Sequence, residues 1–244
     1  MLVSTPDTAI LVDAGLSGVA LQRRMAAVGQ DPADLSAIII THEHIDHVRG
    51  AGVLGRRFNI PVYISPATHQ ACPGLGSVPE LIYFDCGTRF DIQDLILNPF
   101  SISHDASDPA GLTLTWQSCK IGIATDLGVV TNLVRTHLSG STLLYLESNH
   151  DPDMLINGAY PWHLKQRIQS RIGHLSNHDA GTLLAELHHD HLHHVILAHL
   201  SEENNRPERA LAEVGRRLNR PGTCLSVAGP DRPGEVIRIS GKNE

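Results

Sequence analysis

The stretch "AIIITHEHIDH", residues 37–47, decides the fold of this chain. It begins as a short apolar run typical of a buried strand and ends in three histidines and two carboxylates. Alternate residues of an extended segment point the same way, so His42 and His44 can bind one cation. Asp46 and His47, where a helix is predicted to begin, can bind a second cation about 3.5–4 Å away, with a shared water and a bridging carboxylate. The alternative is a solvated polar loop.

The composition is that of an ordinary folded domain. The chain has 244 residues, of which 41% are hydrophobic and 18% are charged, enough to bury a substantial core. No apolar run approaches the length of a membrane span, and the N-terminus lacks the pattern of a secretory signal. We therefore predict a cytoplasmic protein without a membrane partner. No repeat or linker divides the sequence, which predicts a single domain over residues 1–244.

Charge and cysteine content give weak evidence about the substrate and about disulfide or zinc sites. A formal net charge of −7 argues against a general nucleic-acid binder, although bound divalent cations would add positive charge at the substrate site. The four cysteines are far apart and form no C-x-x-C pair, so we expect reduced side chains rather than a disulfide frame or a zinc knuckle. The oligomeric state is not predicted.

Apolar runs and helical periodicity alternate along the chain without strict order. This pattern predicts helices packed outside a two-sheet sandwich. The predicted strands cover 9–15, 35–42, 60–65, 95–104, 141–148, 193–198, 223–227 and 235–240, with a hairpin at 111–126, and the predicted helices cover 16–29, 46–57, 128–138, 177–190 and 206–219.

Five polar residues share one position relative to these strands. Each lies at or just past the C-terminal end of a predicted strand, where loops converge while the sheet holds them rigid. Such endings predict one site assembled from the whole chain: His42, His104, Asp126, Glu147 and His199.

The pattern H-x-H-x-D-H after an apolar strand resembles the signature of the metallo-β-lactamase superfamily. The resemblance implies an α/β fold (α+β in some schemes), namely an αββα four-layer sandwich. It also implies two divalent cations, and imidazole and carboxylate ligands without thiolate fit Zn²⁺ or Mn²⁺. The implied ligands are His42, His44 and His104 for the first metal, Asp46, His47 and His199 for the second, Asp126 between them, and Asp13 behind the loop.

Longer strings narrow the resemblance to the YycJ/WalJ-like group of this superfamily. These strings include "SISHDASDPAGLTL" (101–114), "ESNHD" (147–151), "GHLSN" (173–177) and "LAHLSEENNRPE" (197–208). Membership in the group implies a 5′→3′ DNA exonuclease. Members of the group begin with another strand before the segment that matches "TPDTAILVDAG" (5–15), so either the start of this chain is assigned too late or this member lacks that first N-terminal strand.

Hydrolysis at such a site needs a nucleophile and a proton donor. A water that bridges two cations is available as hydroxide near neutral pH, which makes the metal ligand Asp46 part of the predicted catalytic set. His174 can protonate the leaving oxygen, and Glu147 can orient its imidazole. The alternative is that His174 is an ordinary loop histidine.

Several polar residues near these groups are candidates for substrate binding. Each has a structural alternative, either as a helix cap or as part of a solvated helix face. The candidates are Asn149, His150, Ser176, Asn177, Lys165 and Arg167. The histidine-rich run at 187–194 is assigned to a helix end instead, where histidines are favourable with the helix dipole and need no metal.

The sequence thus favours a dinuclear metal-dependent phosphodiesterase, with DNA as the favoured nucleic-acid substrate. The motif serves thioester chemistry equally well, so a glyoxalase II-type thioester or small-ester hydrolase is the first alternative. A non-catalytic regulator that kept the fold is the second. A complete set of ligands argues against the regulator, because a structural role would not require them.

Overall fold

The apolar run of the histidine motif forms the central strand of a five-stranded sheet in the computed structural model, which describes residues 1–218 and 222–240. The chain divides into two units. Unit 1 comprises Met1–Pro99, Ala106–Ala110 and Asp231–Val236, and unit 2 comprises Phe100–Asp105, Gly111–Pro230 and the segment from Ile237. The single domain over residues 1–244 stays a prediction.

The strands that begin in unit 1 before Pro99 are β1 Leu2–Ser4, β2 Ala9–Val12, β3 Ala37–Ile39, β4 Val62–Ile64, β5 Leu81–Tyr83, β6 Phe90–Ile92 and β7 Leu95–Ser101, and the last two residues of β7 belong to unit 2. The first five form the sheet in chain order, with β1 antiparallel to β2 and the other neighbours parallel. β6 and β7 form an antiparallel hairpin. Ile38, Ile39 and Ile40 are fully buried, as expected for a strand between two parallel neighbours.

The helices of unit 1 are α1 Gly18–Ala27, α2 Ile45–Val48, α3 Ala51–Phe58 and α4 Pro66–Ala71, with 3-10 turns at Pro32–Asp34 and Pro73–Leu75. The single helix predicted over 46–57 is therefore two helices. The break has a local cause, because the N–H of Gly50 donates to the carbonyl of Ala14 at 2.7 Å. This contact fixes the junction of α2 and α3, just after the histidine motif, against the loop that follows β2.

The strands of unit 2 are β8 Ala110–Trp116, β9 Cys119–Ala124, β10 Leu143–Glu147, β11 His194–Ala198 and β12 Cys224–Val227. Their order is β12-β11-β10-β9-β8, and all neighbours are parallel except the β8–β9 hairpin. The helices are α5 Asn132–Leu138, α6 Pro152–Asn157, α7 Trp162–Ile168, α8 Asn177–Leu187 and α9 Pro207–Gly215. Leu184 of α8 and Val214 of α9 are fully buried in a core with Leu197 of β11.

Further features depart from the sequence predictions. The strand predicted at 235–240 is wrong, because this described segment forms no strand and most of its side chains are exposed. Among residues 1–218 and 222–240, no strand pairs with this segment. β1, β5 and β6 were not predicted. Within the described residues, every helix is too short or too polar to cross a lipid bilayer.

Candidate metal centre and active site

Three parallel strands of unit 2 end side by side. β10 pairs with β9 on one side and β11 on the other, and Glu147 at its end lies opposite Ala198. Asp126 follows β9 by two residues, and His199 directly follows β11. Because carboxyl ends of parallel strands meet at one edge of a sheet, this topology brings Asp126, Glu147 and His199 together.

Glu147 is the centre of this edge and is fully buried. Its Oε1 accepts hydrogen bonds from His174 Nδ1 at 2.9 Å and His199 Nδ1 at 2.8 Å. Its Oε2 accepts the backbone N–H groups of Leu127 at 2.7 Å and Leu175 at 3.0 Å. Burial alone would raise the pKa of Glu147, but these hydrogen bonds and the two imidazoles hold it far below its usual range. Glu147 is therefore a carboxylate whose two oxygens are both engaged in orienting neighbours.

Asp126 supplies a carboxylate that can bind a cation, whereas both oxygens of Glu147 are engaged in hydrogen bonds. Its buried Oδ1 lies 3.5 Å from His104 Nε2, 3.5 Å from His199 Nε2 and 3.8 Å from His174 Nδ1. Ligand atoms around a tetrahedral cation with bonds of about 2.0 Å are about 3.3 Å apart, so the two shorter separations suit ligands of a shared cation. Ligand atoms of Asp126, Glu147, His174 and His199 all lie within 4.8 Å of one another.

Three imidazoles at this edge of unit 2, those of His104, His174 and His199, are held by their Nδ1 atoms. His104 Nδ1 lies 3.2 Å from the carbonyl oxygen of Gly173. The Nδ1 atoms of His174 and His199 contact Glu147 Oε1 in the same way. Donation from Nδ1 leaves Nε2 as the atom that can accept a metal or hold a mobile proton. This is the arrangement that metal-binding histidines require, and it fixes the ring planes before any ligand arrives.

Asp13 plays the corresponding part in unit 1. Its Oδ1 accepts the N–H of Thr41 at 2.9 Å, and its Oδ2 accepts the Thr41 hydroxyl at 2.9 Å and His47 Nδ1 at 2.8 Å. His42 Nδ1 lies 3.0 Å from the same Thr41 hydroxyl. Burial would raise the pKa of Asp13, but the charge and hydrogen bond of His47 hold it below its ordinary value. One carboxylate thus orients two rings of the motif.

The motif itself is compact. The ring of His42 lies 4.7 Å from that of His44 and 4.0 Å from that of His47, measured between centroids. Asp46 Oδ2 lies 3.6 Å from His47 Nε2. A side chain at Gly15 would place its Cβ 1.4 Å from the carbonyl oxygen of Asp46, so only glycine permits this close approach.

Three of these residues have strained backbones. Asp13, Asp126 and His199 have φ values of 57°, 58° and 57°, in the left-handed region that costs a non-glycine residue roughly 1–2 kcal/mol. Such strain concentrates at functional sites, where the surrounding structure holds it. In each unit the donors are imidazole and carboxylate, a set that suits a divalent cation such as Zn²⁺ or Mn²⁺.

A buried amide pair, missed by the sequence analysis, joins the loops of unit 2. Asn177 Nδ2 donates to Asn205 Oδ1 at 2.9 Å, and Asn205 Nδ2 donates to Asn177 Oδ1 at 2.8 Å. Asn205 Nδ2 also approaches the carbonyls of Ser148 at 2.8 Å and Asn149 at 3.0 Å. Asn149 Nδ2 in turn donates to the carbonyl of His199 at 2.9 Å. We call the Asn177–Asn205 pair the asparagine clamp.

Two of the residues predicted to bind substrate stabilise helix ends. The hydroxyl of Ser176 accepts the N–H of Asp179 at 3.1 Å and so caps α8. The buried ammonium of Lys165 donates to the carbonyls of Ile156 and Gly158, each at 2.7 Å, and closes the end of α6. The Ser176 contact is the helix cap that the sequence left as an alternative, whereas the burial of Lys165 differs from the solvated helix face that was the alternative for it.

The other predicted substrate residues divide between interior and surface. Asn177 is part of the asparagine clamp, and His150 is 3% exposed with a buried Nδ1 that has no hydrogen-bond partner within the described residues. Burial lowers the pKa of His150 to about 4. Asn149 and Arg167 line a cavity beside His174. Arg167 Nε donates to Asp105 Oδ2 at 2.6 Å.

The histidine-rich run at 187–194 does not gather into a metal site. His188 Nε2 lies 3.1 Å from the hydroxyl of Thr223, and His194 Nε2 lies 3.0 Å from that of Ser226. Over residues 1–218 and 222–240, none of the potential metal-binding groups of three or more side chains includes a histidine from this run.

Comparison with known proteins supports the predicted family. The family model of the metallo-beta-lactamase superfamily matches residues 1–160. The chain is 37% identical to the Bacillus anthracis exodeoxyribonuclease YycJ, over 93% of this chain and 88% of that protein. It is 36% identical to the Streptococcus pneumoniae exodeoxyribonuclease WalJ, over 85% of this chain and 79% of that protein.

A solved structure agrees on the fold. The Bacillus subtilis metallo-beta-lactamase fold protein YhfI superposes with a TM-score of 0.74 and 18% sequence identity, over 96% of this chain and 88% of that one. The predicted metallo-β-lactamase fold, an α/β fold of mixed sheets and helices, is confirmed. This chain belongs to the metallo-β-lactamase superfamily of metal-dependent hydrolases and, within it, to the YycJ/WalJ-like group.

Proposed function

We propose that this protein is a phosphodiesterase that removes nucleotides from DNA in the 5′→3′ direction. The observation that carries the proposal is the position of the His174 imidazole. Its Nδ1 lies 2.9 Å from Glu147 Oε1, and the ring lies beside Asp126 and His199, which can bind a metal. A proton donor in this position suits a poor leaving group such as a nucleoside alkoxide. The two relatives named as exodeoxyribonucleases support DNA as the substrate.

We assign two divalent cations, Zn²⁺ or Mn²⁺, to the ligands that the resemblance implies. When bound, such cations lower the pKa of water and stabilise negative charge that develops on phosphorus. The first would be held by His42, His44 and His104, the second by Asp46, His47 and His199, with Asp126 between them and Asp13 orienting His47. The support is the Nδ1 anchoring found within each unit, which leaves Nε2 as the donor atom.

The residues of the chain then divide the work. Glu147 positions His174 and His199, and its two backbone hydrogen bonds keep it from moving. Burial would lower the pKa of His174, but the hydrogen bond and charge of Glu147 outweigh burial and raise it. His174 thus keeps its second proton at higher pH and can give it from Nε2 to the departing oxygen.

Among the predicted substrate residues, Asn149 and Arg167 are retained because they line the cavity beside His174. Ser176, Asn177 and Lys165 are not proposed to touch substrate, since their polar groups are engaged within the protein. His150 is buried, so we assign it no direct contact with DNA.

The test uses purified protein with Mn²⁺ or Zn²⁺ and duplex DNA labelled at one 5′ end. We expect the labelled 5′-terminal residue to be released as a mononucleotide before the labelled strand shortens from its 3′ end. Asp126→Ala should lose bound metal and activity together, whereas Asp7→Asn, an exposed carboxylate of unit 1, should change neither. Brisk hydrolysis of S-lactoylglutathione without DNA cleavage would instead establish the thioester alternative. Metal binding without turnover of any of these substrates would favour the regulator.

A further inference from the structure

An exposed row of side chains begins inside the histidine motif of unit 1 and runs away from it. Ile45 lies within the motif, yet it is 68% exposed. The row continues at four-residue spacing with Arg49, Val53 and Arg57, each of which is exposed. Side chains four residues apart form one ridge along a helix. We call Ile45, Arg49, Val53 and Arg57 the arginine ridge.

The arginine ridge crosses the junction of α2 and α3 without changing face. Arg49 and Gly50, the two residues between the helices, both keep right-handed helical backbone angles. The N–H of Arg49 donates to the carbonyl of Ile45 at 3.0 Å. After the junction, the N–H of Leu54 donates to the carbonyl of Gly50 at 3.0 Å. At about 1.5 Å per residue, the ridge therefore extends about 18 Å from the histidine motif.

A second helix of unit 1 widens this surface. Val19 of α1 is 74% exposed, and Arg23, one turn later, is exposed as well. A Cβ on Gly18 would lie 3.0 Å from Val53 Cγ1, so α1 approaches the ridge at Val53. Two neighbouring helices thus present the same combination of exposed aliphatic and arginine side chains.

The arginines of this surface are not neutralised by carboxylates. Within residues 1–218 and 222–240, the guanidinium groups of Arg23, Arg49 and Arg57 form no hydrogen bond or ion pair. Because the chain has a formal net charge of −7, these three cations run against its overall charge and can attract a polyanion. Several arginines of unit 2 are, by contrast, each paired with a carboxylate: Arg135, Arg167, Arg209 and Arg216.

The position of the ridge favours DNA as the partner. The ridge begins at the motif to which we assign the metals, so a DNA that reacts there has further phosphates within its reach. One strand of B-DNA places a phosphate about every 3.4 Å along the axis, so about 18 Å covers about five of them. Guanidinium groups bind phosphate oxygens with two parallel hydrogen bonds. A second copy of this chain would instead bring like charges together.

We propose that the arginine ridge, with Arg23 beside it, binds the DNA backbone next to the bond that is cut. Arg49 and Arg57 contact phosphates, and Ile45 and Val53 contact the sugars between them. The inference rests on the proposed function and deepens it. Contacts to the backbone position DNA without reading its bases, so cleavage should show little sequence preference.

The first experiment measures binding of a short duplex DNA by fluorescence anisotropy at several salt concentrations. Metal-loaded His174→Ala protein serves as the background, so that the DNA is not consumed. In this background, Arg49→Gln/Arg57→Gln should raise Kd about 50-fold at about 0.1 M salt. The slope of log K against log salt should become shallower by about 1.8, as expected for two lost phosphate contacts.

Arg56→Gln is the matched control. It removes the same charge from the same helix, but the Arg56 guanidinium donates to the carbonyl oxygens of Leu75 at 3.0 Å and Ser77 at 2.9 Å. Because Arg56 is engaged within the protein, its replacement should raise Kd less than about threefold and leave the salt slope unchanged.

The second experiment measures DNA cleavage with His174 intact. Arg49→Gln/Arg57→Gln should raise KM for DNA about 50-fold, while kcat at saturating DNA changes less than about twofold. This division is expected because contacts to phosphates outside the reacting bond are equally strong before and during the reaction. A general loss of structure would lower kcat as well.

The outcomes separate the ridge from the proposed function. Wild-type protein that cleaves DNA, together with an unchanged Kd and salt slope in Arg49→Gln/Arg57→Gln, overturns the ridge and leaves the nuclease standing. An equal loss in Arg56→Gln overturns the ridge too, because net charge alone would explain it. If the ridge variant keeps DNA binding but turns a dimer into a monomer in sedimentation, the surface binds a second copy instead. DNA binding that depends on the ridge, in a protein that cleaves no DNA, supports the ridge and overturns the proposed function.

Discussion

Two carboxylates, Asp13 in unit 1 and Glu147 in unit 2, perform the same task by different routes. Each accepts hydrogen bonds from the backbone and from histidine Nδ1, so that the Nε2 atom of the same ring is the one that can coordinate a metal or hold a proton. Asp13 serves one contiguous motif, with His47 as its imidazole partner. Glu147 serves two imidazoles, His174 and His199, that are 25 residues apart in the sequence.

The difference shows what local sequence can and cannot encode. The motif of unit 1 needs one strand end and one turn, so a short string specifies it. The cluster around Glu147 forms only when parallel strands and the start of α8 have assembled. We therefore expect the Glu147 cluster to be more sensitive to substitution than the Asp13 cluster.

The largest effect is expected for Glu147→Gln. The amide keeps the volume but loses the charge and one acceptor, so two imidazoles lose their orientation. Because each such contact is worth 10–100-fold, kcat should fall about 10²–10⁴-fold. A buried N–H left unpaired should lower the free energy of unfolding by about 1–3 kcal/mol in denaturant titrations. Glu186→Gln, at a surface ion pair with Arg135, should change neither by much. Equal effects in the two variants would contradict the role of Glu147.

Next in size is His174→Ala, whose effect should depend on the leaving group. With DNA, the loss of a general acid should lower kcat about 10²–10⁴-fold. With bis(p-nitrophenyl) phosphate, whose nitrophenolate leaves without a proton, the rate should change less than tenfold. Metal content, measured by atomic emission, should stay normal. A loss of equal size on both substrates would show that His174 binds metal instead.

A smaller effect is expected for Asp13→Asn in unit 1. The amide can still accept the N–H of Thr41, but its NH₂ group cannot accept His47 Nδ1–H. Metal affinity, measured by competition with a chelator, should fall about 10–100-fold, while saturating metal restores most activity. Asp7→Asn again supplies the control. A loss that excess metal does not restore would place Asp13 closer to the reaction than we propose.

The smallest effect concerns stability at low pH. His150 has a folded pKa of about 4, below the value of about 6.5 expected when unfolded. The unfolded chain therefore binds the proton first, and stability should fall as the pH drops from about 6.5 toward 4. In metal-free protein, His150→Gln should remove about 2 kcal/mol of the loss between pH 7.5 and 5. The exposed His178→Gln should not, and an unchanged slope in His150→Gln would contradict the burial argument.

Much of the fold was readable because its central strands are continuous apolar runs. Ile38, Ile39 and Ile40, followed at once by polar ligands, predict both a buried strand and its functional end. Strands β1, β5 and β6 were not predicted, and each spans only three residues. The segment 235–240 had the period of a strand, but within the described part of the chain no strand pairs with it, which only the assembled chain reveals.

The candidate site followed the same division. Strand-end positions indicated Asp126, Glu147 and His199, and the contacts of Glu147 with His174 have the geometry that its predicted role as orienter requires. Lys165 and Ser176 could not be assigned from sequence, because a polar side chain beside a helix end serves a cap or a substrate equally well. The pairing of Asn205 with Asn177 could not be predicted from sequence, since the contacts of Asn205 come from segments more than 25 residues away.

The asparagine clamp has a consequence for how the site opens. Its paired amides join the loops that follow β10 and β11 to the start of α8. None of these three segments can leave without breaking bonds of the other two, so they should behave as one cooperative unit. In hydrogen exchange, the amides of Asn149, Asn177 and Ser201 should then exchange through one shared opening. The strands beneath would stay closed during this opening. Because the clamp joins the segments that carry them, the proposed proton donor His174 and the proposed metal ligand His199 would be released together.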